Sequence, residues 1–444
     1  AYQQSDGYTG DYWRDFYAPG VLGMYRAMEA TYNTLSEAEK ANQEVFMQAA
    51  SVVVFDQASQ MVDLWGDIPF SEAGSLQTTS TIGNPKFDAQ AELYNAFLAG
   101  LETAATYFGT AAASPSFTKA DILLNGSIDK WRRYANSVRL RLLMRISNVS
   151  EGTARTEVLE MLGNAGSYPL MDGGNAANYS PAASDALLRP LTTNTDNLRS
   201  ALTELTSHYA PDYMLNQVML PADDPRIPVM FDKFGATANG VFVPNPTYRA
   251  MPVTFTAAQQ EAEFARYAIL DSATFLENPS LPGIVMTASE VNFLKAEAFE
   301  RWGSTADAQA AYETAVKQSV AFYYYLNNLN TAGGTVLAPP TAEEVNAFVT
   351  DSPVAYAGGT TDKLALVWTQ KWLHFGFLQA TQAWAEYRRT NYPQLTFPSA
   401  TLSGYERPPL RLVYPSNEKS YNSENYRAVQ PADTRETRIF WDVN

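Results

Sequence analysis

The chain has 444 residues, of which 46% are hydrophobic and 18% charged, enough apolar material for a sizeable core and a composition unlike that of disordered chains. Its formal net charge of −16 disfavours nucleic acid and polyanionic ligands, which demand a basic surface. The absence of cysteine excludes disulfides, thiolate metal sites and thiol catalysis.

Length alone suggests about three domains, yet no Gly/Ser or Pro run is long enough to be a linker, so one compact unit over 1–444 is expected. No apolar run approaches the roughly 18 residues that would span a bilayer. The start at Ala1, without Met or a signal peptide, suggests a processed or trimmed form.

Residues 1–20 carry Tyr2, Tyr8, Tyr12, Trp13, Phe16 and Tyr17 among glycines and close at Pro19-Gly20, which reads as a packed irregular arm. Ser36 and Glu39 form a capping box, in which each side chain satisfies the other's orphan backbone donor. The helix it starts carries the stripe Met47, Ala50, Val54, Ala58, Met61 and Trp65 and stops at Gly66-Asp67-Ile68-Pro69. Further helices are expected at about 87–109 and 127–147. The second of these holds Lys130, Arg132, Arg133, Arg139, Arg141 and Arg145. It is either an anion site or, more economically, a helix neutralised by acidic neighbours.

From about 166 to 286 turn formers crowd in, as in Asp172-Gly173-Gly174-Asn175, Asp223-Asp224-Pro225-Arg226 and Pro244-Asn245-Pro246. Long irregular loops in a compact protein are usually functional or disordered. The interspersed Tyr209, Tyr213, Phe231, Phe234, Phe242 and Tyr248 favour order. Periodicity returns after a second capping box, Thr287 with Glu290, and is interrupted at Gly303-Ser304. The spacing of Ala296, Phe299, Gly303, Ala308, Tyr312 and Ala315 resembles a tetratricopeptide repeat, in which small residues let two antiparallel helices approach. Between Asp362 and Pro393 the stripe Leu366, Leu373, Phe377, Ala380, Trp384 and Tyr387 predicts one helix about 28 residues long. Trp368, Trp372 and Phe375 lie off that stripe. The tail 394–444 is proline-rich and helix-poor.

Several of these stretches carry a resemblance. They are Asp63-Leu64-Trp65-Gly66-Asp67-Ile68-Pro69-Phe70, Lys130-Trp131 with Ala135-Asn136-Ser137-Val138-Arg139, and Ser289-Glu290-Val291 with Leu294-Lys295-Ala296-Glu297-Ala298. Thr369-Gln370-Lys371-Trp372 with Ala383-Trp384-Ala385-Glu386-Tyr387-Arg388-Arg389 and the tail segment Arg407-Pro408-Pro409-Leu410 join them. Together they are similar to the SusD/RagB family of nutrient-binding lipoproteins on the surface of Bacteroidetes-type bacteria. The resemblance implies a mainly α fold. Tetratricopeptide-like helix pairs would form a scaffold over about 20–165 and 287–393, with a loop-rich region carrying little regular structure over 166–286 packed on one face and a C-terminal wrap over 394–444. It also implies a non-catalytic role without cofactor, and a SusC-like TonB-dependent outer-membrane transporter as partner. The cargo would be oligosaccharide or oligopeptide, and the anchor an N-terminal lipid preceding Ala1, on the extracellular face of the outer membrane.

The residues themselves offer little chemistry. His208 and His374 are the only histidines, His374 reads as a packed residue, and no HExxH, Walker or dinucleotide fingerprint occurs, so no metal is expected. The alternative is a secreted α/α-type glycoside hydrolase using a carboxylate pair. Asp63 and Asp67 come nearest to such a pair, although capping and salt bridges at a helix end account for them more simply. A purely structural surface protein is a third reading. For binding, sugars offer apolar C–H faces to aromatic rings and hydroxyls to a polar rim. Trp65, Trp131, Trp302, Trp368, Trp372 and Trp384 fall on expected helices or at their ends and are expected in the core, leaving Trp13 and Trp441 free of helices. The ligand-binding candidates are therefore Trp13, Tyr213 and Tyr248, and peptides held through backbone amides fit nearly as well.

Overall fold

The computed structural model describes residues 2–17, 20–81, 83–174, 176–190 and 208–444, and in these the chain is mainly α. Pro19, Asn175 and the 191–207 part of the loop-rich region lie outside the described residues. By its internal contacts the chain divides into two compact parts. The first comprises Ala1–Met171, Gln379–Tyr392 and Ser399–Asn444, and the second Asp172–Leu378 with Pro393–Pro398.

In the first unit the residues read as an irregular arm form a helix, Asp6–Tyr17. Gly7 and Gly10 weaken it locally, but Trp13 and Phe16 recur on one face and are buried, and tertiary burial outweighs propensity. Ser36 caps Glu37–Trp65 as expected, its hydroxyl accepting from the Glu39 amide at 3.4 Å while its own amide donates to Glu39 Oε2 at 2.8 Å. That helix packs on Gln90–Phe108, and Gly100 makes the approach possible, because a Cβ there would stand 2.3 Å from Phe55 Cε2. The basic helix is Ile128–Arg145, and its buried arginines pair with carboxylates inside the unit. Arg141 pairs with buried Asp56 at 2.9 Å, Arg139 with Glu157 at 2.9 Å, and Arg145 lies 3.4 Å from Glu386. The tail wraps the same unit, with the Leu412 amide donating to Leu64 O at 2.8 Å and Trp65 Nε1 to Val413 O at 3.1 Å.

The second unit is built on the helix pair Ala288–Trp302 and Thr305–Asn328. Thr287 and Ser304 cap the two helices, and Ala296, Ala308, Tyr312 and Ala315 are fully buried where they pack together. Gly303 lies so close to Phe299 that an added Cβ would be 2.9 Å from Phe299 Cδ1, which explains the small residue at the turn. Thr360–Phe375 packs on the first of the pair.

The single long helix expected from Asp362 to Pro393 is instead two, Thr360–Phe375 and Ala380–Thr390. Gly376 breaks it with φ +50° and ψ −142°, a conformation that is easy only without a Cβ. The interruption spans about one helical turn, so the apolar spacing runs through it undisturbed. Gly376→Ala is expected to cost about 1–3 kcal/mol in a denaturant titration, because the new methyl is strained and would meet Tyr323 Oη at 3.0 Å.

The loop-rich segment carries little regular structure. Among its described residues are three two-stranded sheets, Ala186–Leu188 with Gly283–Met286, Phe231–Asp232 with Ile269–Leu270, and the hairpin Gly235–Ala238 with Val241–Pro244. Its Asp224-Pro225-Arg226 turn is buried rather than looped out. The Arg226 guanidinium donates to Asp224 at 2.5 Å, to Ser319 at 2.9 Å and to Gln370 at 2.7 Å.

Candidate functional site

A cleft of about 640 Å³ opens in the second unit. Tyr213 begins the wide π-helical turn Tyr213–Met219, whose buried Met214, Leu215 and Met219 root it in the core. Such turns are rare and occur frequently at functional sites. Asp212 Oδ2 accepts the Val253 amide at 2.9 Å, and Asp212 Oδ1 accepts Asn216 Nδ2 at 2.7 Å. Asn216 is bonded in both directions to the Ala250 backbone, at 3.0 and 3.1 Å. These bonds fasten the 250–253 loop against the turn, so Met251 and Val253 face the cleft from fixed positions.

The Thr360–Phe375 helix supplies Trp372, whose ring meets that of Tyr213 edge to face at 6.2 Å and 81°. Tyr209 enters from a segment bridged to Ile269, and Leu395, Thr396 and Phe397 also line the cleft. Phe397 is 42% exposed. The walls are thus rings and aliphatic side chains. The polar groups among them, Gln217, Gln260 and Thr396, are uncharged. Among the described residues Asp212 is the one carboxylate on the lining, and both its oxygens already accept hydrogen bonds. Partial burial raises the Tyr213 phenol above its ordinary pKa, so it stays neutral at physiological pH. Flat apolar faces with a few neutral donors and acceptors suit a ligand that is apolar on its ring faces and hydroxylated at its edges.

Of the three sequence candidates, Tyr213 lies in the cleft. Tyr248 lies outside its lining, half-buried with the Lys233 ammonium 5.2 Å from its ring centroid. Trp13 belongs to the first unit and is only 6% exposed. Its ring is enclosed by Tyr17, Trp65 and Tyr414 at centroid distances of 5.0, 5.2 and 5.7 Å, so as a stacking platform it is corrected to a core residue. Trp441, the other tryptophan placed outside the helices, is fully buried. Trp372, expected in the core, is half-buried and lines the cleft. The available signal was its place off the apolar stripe of its helix.

The carboxylates Asp63 and Asp67 serve the fold. Asp63 accepts from Tyr94 Oη and, at 2.8 Å, from Trp441 Nε1, while Asp67 accepts the Gln90 amide at 3.0 Å. Among the described residues no three His, Cys, Asp or Glu side chains are grouped to hold a metal.

His374 is buried between the hydroxyls of Thr287 and Ser319, at 2.7 and 2.9 Å. Burial, assisted by the Arg226 charge, pulls its pKa down to about 3. A folded pKa below the unfolded value of about 6.5 means the folded protein holds the ring neutral. The stability this contributes is complete above pH 6.5 and lost as pH falls towards 3. Melting temperatures measured across that window are expected to fall more steeply for the native protein than for His374→Gln.

A family model described as "Starch-binding associating with outer membrane" matches residues 1–415. No curated protein matches the chain. Among solved structures it is similar to a chitin-binding protein, with a TM-score of 0.79 and 23% identity, covering 100% of this chain and 90% of that one. It is similar also to a chitin-binding SusD homologue from Flavobacterium johnsoniae, with a TM-score of 0.72, 24% identity and coverage of 100% and 88%. A SusD homologue from Bacteroides uniformis gives 0.70 and 23%, with coverage of 95% and 86%. At such identities the likeness establishes the fold.

Proposed function

The chain belongs to the SusD-like family, and from that premise we propose that it is a non-catalytic cell-surface protein that captures an oligosaccharide in the cleft walled by Tyr209, Tyr213 and Trp372. The observation that carries this reading is the make-up of the cleft, in which perpendicular aromatic rings face neutral amides and a hydroxyl. Such walls stack on the C–H faces of pyranose rings, and the rim answers their hydroxyls. The family description names starch, and two of the similar structures are named for chitin, so neutral glucans and N-acetylglucosamine chains are the first ligands to try.

A non-catalytic role is favoured because glycoside hydrolysis ordinarily uses two carboxyl groups flanking the bond, and among the described residues the lining holds Asp212 as its one carboxylate, already committed to the 250–253 loop. Import then requires a partner. Residues 1–444 acting as one unit would be tethered by a lipid at the extracellular face of the outer membrane and deliver cargo to a SusC-like TonB-dependent transporter.

Calorimetry against malto-oligosaccharides, chito-oligosaccharides and short peptides in parallel tests the ligand class. Saturable heat with a neutral oligosaccharide supports the proposal, and heat with peptides alone contradicts it. Purification of the native protein from membranes tests the partner, and failure to recover a barrel-type transporter counts against it.

A further inference from the structure

A second apolar surface stands close to the cleft in the same unit. Gly235–Ala238 and Val241–Pro244 form an antiparallel hairpin whose turn, Asn239-Gly240, has positive φ at both residues, the geometry that matches the twist of the strands. Hairpins usually bury one face. Here three consecutive residues, Val241, Phe242 and Val243, are 65%, 54% and 52% exposed, so apolar side chains project from both faces of the ribbon. An exposed edge of this kind is a liability that proteins ordinarily blunt with charge, and its presence points to something that covers it.

The base of the hairpin is firmly held. The Asn245 amide donates to Phe234 O at 2.7 Å, and Asn245 Nδ2 donates to Lys233 O and Ala265 O at 2.9 and 2.8 Å. Phe234 itself has φ +57°, a left-handed conformation that is strained for a bulky side chain. That conformation accompanies a particular ring placement. Phe234 lies 6.2 Å from Phe242 on one side and 5.0 Å from Phe264 on the other, and Phe264 lies 5.3 Å from Tyr209 on the cleft wall. A row of rings therefore runs without a gap from the cleft to the exposed hairpin.

We propose that the cleft grips one end of an unbranched oligosaccharide and that the hairpin, through Phe242 flanked by Val241 and Val243, seats sugar rings farther along the same chain. The inference rests on the oligosaccharide reading of the cleft and adds to it a length requirement. Continuity selects this occupant, because the apolar ribbon is joined to the cleft by aromatic rings in edge-to-face and tilted contact, and a chain of pyranoses repeats an apolar face along its length.

The test is calorimetric titration of the native protein, Phe242→Ala and Phe242→Tyr with chito- and malto-oligosaccharides from disaccharide to hexasaccharide. Phe242 is exposed, so the variants are expected to fold, and matching melting curves check this. Native affinity is expected to rise with chain length. Phe242→Ala is expected to match native affinity for the disaccharide and to bind the hexasaccharide about tenfold more weakly, with Phe242→Tyr restoring it. Equal affinity of native protein and Phe242→Ala at every length, or an equal loss at every length, overturns the proposal and leaves the cleft reading standing. No binding of any oligosaccharide by the native protein overturns both.

Discussion

Replacing Asp63 by alanine is expected to destabilise the protein by about 3–5 kcal/mol, read as a large fall in the midpoint of a denaturant titration. The carboxylate is 3% exposed, accepts from Tyr94 Oη and Trp441 Nε1, and lies 3.7 Å from the buried Arg145 guanidinium. Arg388 donates to the backbone oxygen of the same residue at 2.8 Å. Removing the carboxylate leaves two donors unpaired and subtracts a negative charge from beside buried cations, and uncompensated buried charge is the costly case. Asp63→Asn keeps an acceptor and is expected to lose less. The result also separates a structural from a catalytic role for Asp63. A catalytic carboxylate, when neutralised, abolishes turnover and leaves the melting curve largely unchanged, whereas a structural one moves the melting curve.

The second large effect is on binding. Trp372→Ala is expected to weaken oligosaccharide affinity about 10- to 100-fold, because a half-buried tryptophan presenting a rigid face in a cleft is the kind of side chain that dominates interfaces. The Tyr213 ring packs perpendicular to that ring, so the substitution also loosens its neighbour, and Trp372→Phe is expected to recover part of the loss. Titration calorimetry on matched, folded samples measures both. Unchanged affinity in Trp372→Ala removes the cleft from the account.

Local features were readable in the sequence because their causes are local. The Ser36 capping box depends on Glu39 three residues on, whereas the expected Thr287 box is only half formed, its hydroxyl accepting the Glu290 amide; the paired helices around Gly303 follow from small residues spaced to let Phe299 and Tyr312 pack. The pairing of the basic helix's buried arginines was legible as well, since an acidic chain supplies partners such as Asp56 and Glu386. What escaped the sequence depends on long-range packing. Trp13 is enclosed by Trp65 and Tyr414, residues far along the chain, and no local pattern marks that enclosure. The break at Gly376 was hidden because the apolar stripe continues in phase on both sides. Tyr213 was reachable as a loop aromatic, but Trp372 was masked by its helix, whose face towards the cleft is set by how that helix packs on Ala288–Trp302.

The proposed cargo site is the cleft walled by the rings of Tyr209, Tyr213 and Trp372. The most direct measurement is a crystal structure of the protein soaked with a chito- or malto-oligosaccharide that binds in solution. Pyranose rings are expected to lie against Trp372 and Tyr213, with the chain directed towards Phe242. Sugar density elsewhere, with the cleft holding only solvent, would contradict it.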